Sequence, residues 1–106
     1  MSALIWSTFA SEAEAEAAAG ALLDAGLVAC ANIVPAVRSL YVWNGERGEG
    51  QEVGVLFKTD AFVLDEAVAR LAAVHPYETP AIVGWRVDGV APATAAWLAT
   101  LAGKPA

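Results

Sequence analysis

One cysteine, Cys30, and one histidine, His75, are all the chain has of the side chains that most often hold transition metals, and only six of its 106 residues are basic. A single cysteine excludes a disulfide within the chain, and the paired-cysteine motifs of structural zinc sites are missing. Twelve acidic residues against six basic ones leave a net charge of −6. That balance argues against nucleic acid, whose phosphates call for a basic footprint, and against an anionic membrane surface. No apolar run is long enough to span a bilayer, because the alanine-rich stretch 12–25 carries Glu and Asp throughout. The opening MSALIWSTF lacks the basic start of a secretory leader, so the expected location is the cytoplasm. P-loop, GxGxxG, GxSxG and HExxH patterns are all absent, and no catalytic triad is recognisable, so the expectation is a protein that is not an enzyme.

Apolar material, by contrast, is plentiful. Hydrophobic residues make up 58% of the chain, and four of them are tryptophans: Trp6, Trp43, Trp85 and Trp97. A 106-residue domain leaves much of its surface uncovered, so such a supply of large apolar groups points to self-association.

The patterning predicts one domain over 1–106. Leu4 to Phe9 reads as a first strand. Ser11 and Glu14 have capping-box spacing ahead of a helix over about Glu12 to Ala25, which Gly26 ends. Val28 to Val34 reads as a second strand, with Pro35 marking a bulge, bend or edge before the strand resumes to Trp43. Asn44-Gly45 signals a tight turn, Gly48 and Gly50 a flexible hairpin tip, and Glu52 to Thr59 a third strand. A helix capped by Thr59 or Asp60 runs to about Val74, the rigid connector HPYETP follows, and Ala81 to Val87 reads as a fourth strand. A short helix from about Ala93 to Leu101 ends the chain. The order β-α-β-β-α-β with right-handed crossovers gives an α+β, ferredoxin-like sandwich with a short C-terminal helix. The second and third strands are apolar on both faces, so the sheet needs cover on both sides. Self-association would supply it, with the long second and third strands pairing their ends with a neighbour's sheet edges.

Four motifs in order resemble the CutA divalent-cation-tolerance family over nearly the whole chain. They are Gly26-Leu-Val-Ala-Cys-Ala-Asn-Ile-Val-Pro35, Val37-Arg-Ser-Leu-Tyr-Val-Trp-Asn-Gly45, Glu52 to Thr59 ending in Lys58-Thr59, and His75-Pro-Tyr-Glu-Thr-Pro80. The resemblance implies a ferredoxin-like protomer, a tight homotrimer similar in architecture to PII signalling proteins, and a link to divalent-cation tolerance with copper the usual ion. The chain departs from the family pattern in its first strand (IWSTF), its fourth (Ile82-Val-Gly-Trp-Arg86) and the Asp88-Gly89 turn, although Trp97-Leu98 remains.

Chemistry-bearing residues are few. Cys30 offers a soft thiolate suited to Cu(I), although most free cysteines are simply small buried hydrophobes. His75 offers imidazole, or else caps the helix before it. Glu78 and Tyr77 sit on a loop stiffened by Pro76 and Pro80. Lys58, with Thr59 beside it, could meet an anion, and Trp43 shares a strand face with Tyr41. The expected metal ligands are therefore Cys30, His75 and Glu78, and the expected ligand-binding residues Lys58, Thr59, Tyr77, Glu78 and Trp43. Their clustering where strand ends meet the HPYETP loop is the leading expectation, for a trimer that binds a divalent cation or a small ligand. An enzyme acting on a small anionic metabolite, with His75 or Glu78 as base and Lys58 as charge stabiliser, is one alternative. A trimeric scaffold for a partner protein is the other.

Overall fold

A computed structural model describes residues 1–103. Its elements run β1 (Ser2–Phe9), α1 (Glu12–Asp24), β2 (Cys30–Trp43), β3 (Glu46–Asp60), α2 (Leu64–Val74), β4 (Ile82–Arg86) and α3 (Pro92–Ala99). The strands form one antiparallel sheet in the order β2-β3-β1-β4, the ferredoxin-like arrangement.

Alternation along each strand decides which face it buries. β1 turns Ala3, Ile5, Ser7 and Phe9 inward and Leu4, Trp6 and Thr8 to the opposite face. β3 does the same with Val53, Val55, Phe57 and Thr59. These inward rows meet Ala15, Ala18, Ala19 and Leu22 of α1 and Leu64, Ala67 and Leu71 of α2 in one core. The opposite face is only partly covered. α3 packs against β3 and β1 with Leu98 buried, while Val83 and Trp85 of β4 remain open to solvent.

The caps follow from local chemistry. The Ser11 hydroxyl accepts from the Glu14 N–H at 3.2 Å, starting α1. At its other end Gly26 takes φ +70°, Leu27 N–H reaches the Leu22 carbonyl and Gly26 N–H the Leu23 carbonyl, a complete Schellman motif. Asp60 begins the turn into α2 by accepting from the Phe62 N–H at 2.8 Å.

One feature departs from the sequence reading. β3 begins at Glu46, not Glu52. Gly48 and Gly50 lie inside the strand, and the tight turn is Asn44-Gly45 alone, with φ +53° and +78°. The Tyr41 ring lies over Gly48 and supplies the cover that the glycine lacks. The pair β2–β3 therefore projects as a long arm, and the molecule measures 47 × 26 × 22 Å. Its Cα radius of gyration is 14.3 Å, whereas a compact chain of this length would have about 13 Å.

At the proline the structure has the bulge that was one of the expected outcomes. Pro35 and Ala36 form a bulge: Val34 pairs with Gly54 but Val37 pairs with Glu52, one extra residue on β2. The extra residue inverts the parity of the strand. Cys30, Asn32 and Val34 lie on the open face before it, and Val37, Ser39, Tyr41 and Trp43 continue that face after it.

Candidate functional site

Polar groups gather at the base of the arm, where β1 ends and the 75–80 segment passes by. The Tyr77 hydroxyl donates to Glu52 Oε2 at 2.7 Å. Ser39 of β2 and Thr8 of β1 are neighbours of this carboxylate. Burial by itself would raise the Glu52 pKa, but Ser39, Tyr77 and Thr8, with His75 nearby, bring it below the ordinary carboxylate value of 4.5. Burial, and next the bond to Glu52, push the Tyr77 phenol well above its usual range. The two ion pairs among the described residues lie elsewhere, so Glu52 is a partly shielded anion held by the Tyr77 hydroxyl rather than by a cation.

His75 sits beneath this group, 7% exposed and stacked on Phe9 with ring centroids 4.2 Å apart. Nε2 lies 2.9 Å from the Thr8 carbonyl, which can only accept, and Nδ1 lies 3.1 Å from the Tyr77 N–H, which can only donate. The ring is therefore neutral, with its proton on Nε2. Burial is the main reason that its pKa falls below 6.5. Both ring nitrogens are in use, which leaves no lone pair for a metal and no free base for proton abstraction. For His75 to act as a metal ligand or as a general base, one of these two bonds would have to be given up.

The expected cluster is divided within one chain. Cys30 and Lys58 face each other across β2 and β3 at the opposite end of the sheet. Lys58 lies six positions from Glu52 along β3, about 20 Å. Cys30 Sγ contacts Asn32 Oδ1 at 3.5 Å. Thr59 is turned into the core, where its hydroxyl donates to the Leu27 carbonyl at 2.7 Å, so it reaches no ligand from there. Trp43 stands near the arm tip, again about 20 Å from the register of Glu52. Glu78 is exposed on the loop beyond Tyr77. Cys30, His75 and Glu78 thus do not meet in one chain, and among the described residues no three His, Cys, Asp or Glu side chains stand together as a metal set. What the structure does bring together is His75, Tyr77 and Glu52, with Ser39 and Thr8. The sequence reading missed Glu52, Ser39 and Thr8. The one available signal was the bulge at Pro35, which places Ser39 on the same face as Glu52.

The comparisons with known proteins agree with this architecture. The family model described as CutA1 divalent ion tolerance protein matches residues 3–101. The Divalent-cation tolerance protein CutA of Thermus thermophilus is 41% identical over 83 residues, covering 78% of this chain and 81% of that protein. The protein of the same name from Pyrococcus horikoshii is 36% identical over 95 residues, covering 90% and 92%. Among solved structures, CutA from Xylella fastidiosa superposes with a TM-score of 0.88 at 33% identity, covering 94% of this chain and 96% of that one. With a family match along nearly its whole length and relatives this similar, the chain belongs to the CutA1 divalent ion tolerance family.

Proposed function

We propose that the protein works as a homotrimer that binds a divalent cation or small ligand in clefts between subunits, as a binding or regulatory protein rather than an enzyme. One observation carries this reading: an arm with Leu40, Tyr41, Val42 and Trp43 uncovered rises directly from the hydroxyl-held carboxylate of Glu52. Whatever covers the arm also closes the polar group at its base. A second and third copy meet the need, since the outer edges of β2 and β4 carry unpaired backbone groups. Assembly would also let one copy's Tyr77 and Glu78 approach another's Cys30, Lys58 or Trp43, which a single chain keeps apart. Copper is the first ion to test, because Cys30 is the one thiol, with Glu78 of a neighbouring copy as the oxygen ligand. We place the protein in the cytoplasm, a reading that cell fractionation tests.

Titration calorimetry with Cu(I), Cu(II) and Zn(II) on the wild type, Cys30→Ser and Glu78→Gln tests the cation. Tight binding by the wild type that falls at least tenfold in either variant is the expected result. Equal, weak heats in all three proteins would remove the cation and leave the small ligand.

A further inference from the structure

Besides the Tyr77–Glu52 bond, the 75–81 stretch is tied to the sheet at two places. At one end the Ser7 hydroxyl donates to the Ala81 carbonyl at 2.9 Å. At the other, a single imidazole does the work, bonded to Thr8 on one side and to the Tyr77 backbone on the other.

We infer that His75 is an acid-operated latch, whose second proton releases Tyr77 from the sheet while the sheet stays folded. The reason is geometric. The neutral ring accepts the Tyr77 N–H at Nδ1. A proton added at Nδ1 would point at that N–H, and two donors cannot share one bond. The ring cannot easily turn away. It is held at Nε2 by the Thr8 carbonyl and lies nearly parallel to Phe9, at an interplanar angle of 9°. Tyr77 has to move instead, and its hydroxyl then leaves Glu52. Pro76 and Pro80 restrict the segment, so the motion is a swing of Tyr77 between two fixed ends rather than an unravelling.

Three titratable groups face the ring: Glu14 from α1, Glu52 from β3 and the Tyr77 phenol from its own segment, at a ring distance of 4.8 Å. Burial opposes proton uptake, while the bond to the Thr8 carbonyl and the two carboxylates favour it. Burial prevails, which keeps the latch closed at neutral pH. This device belongs to each chain and needs no bound cation or ligand.

Amide hydrogen exchange on the whole, ligand-free protein between pH 7.5 and 5.0, corrected for intrinsic exchange rates, tests it. In the linkage of one proton, the opening constant at the Tyr77 amide should rise as pH falls through about 6.5, by up to tenfold per pH unit. It should then level off once the closed form is protonated as well. Amides of β1 and β3 should keep their protection, and His75→Gln should abolish the pH dependence. Unchanged Tyr77 protection, loss in step with β1 and β3, or the same pH dependence in His75→Gln would each overturn the latch. Should His75→Gln fail to fold, NMR titration of the wild-type ring decides. Its midpoint must lie where the Tyr77 opening levels off, and a mismatch rejects the assignment.

Discussion

Tyr77 and Glu52 stand 25 positions apart and are joined by one hydrogen bond of 2.7 Å, yet neither looks unusual in the chain. Their meaning comes from the partners. A carboxylate that accepts from the Tyr77 hydroxyl, with Ser39 and Thr8 beside it, holds its charge to lower pH than a free one. Because the folded pKa of Glu52 lies below its unfolded value of about 4.5, its contribution to stability is present above that value and is lost as pH falls through the folded one. Glu52→Gln should flatten this part of the acid-denaturation curve, which urea titrations at pH 3 to 6 would read. A steep acid dependence that survives in Glu52→Gln would show that other carboxylates set it. Tyr77→Phe should cost about 1 kcal/mol, a charged hydrogen bond discounted for partial exposure. It should also raise the Glu52 pKa, as seen by NMR titration of its side-chain carbon. The histidine taught a different lesson. Its position after a helix and before a proline was visible, but that both ring nitrogens are taken depends on Thr8, which is 67 positions away.

Elements were legible wherever periodicity and caps agreed. Ser11, Gly26 and Asn44-Gly45 mark their boundaries because each supplies a backbone geometry or an acceptor that few other residues supply as well. The outer half of β3 was not legible. ERGEGQE has glycines and charges where a strand normally shows alternation, and its cover comes from Tyr41 on the partner strand. Pro35 announced the bulge, but its consequence, the inversion of β2 parity, needs the register to be seen. Ala36 occupies that bulge at φ +62°, a conformation that an L-residue other than glycine adopts at a cost of about 1–2 kcal/mol. Glycine there loses more freedom on folding, by about 0.5–1 kcal/mol. Ala36→Gly should therefore be neutral or raise stability by up to about 1 kcal/mol in chemical denaturation. A clear loss of stability would mean that the Ala36 methyl makes contacts in the assembly. Gly26→Ala, at φ +70° with no neighbour crowding it, should cost about 1 kcal/mol through the backbone alone.

At the scale of the whole molecule the sheet explains the composition. One face is filled by α1 and α2, and the other carries Trp85 and Val83 in the open. Beyond both, Val42 is 70% exposed and Trp43 55% exposed on an arm that its own chain does not cover. Apolar groups at such exposure, contiguous and rigidly presented, mark a surface built to be buried. The demand for cover was legible in the sequence; the length of the arm was not, because half of it hid in the glycine-rich segment. The arm adds little to the core of its own chain, so Val42→Asp with Trp43→Ala should leave the protomer folded by circular dichroism while weakening association at least tenfold. Unaltered assembly in that double variant would move the interface away from the arm tip. Sedimentation equilibrium of the wild-type chain at low micromolar concentration puts the assembly itself to the test. A particle of about three times the 10.9 kDa of one chain is expected; a folded species of 10.9 kDa would contradict it.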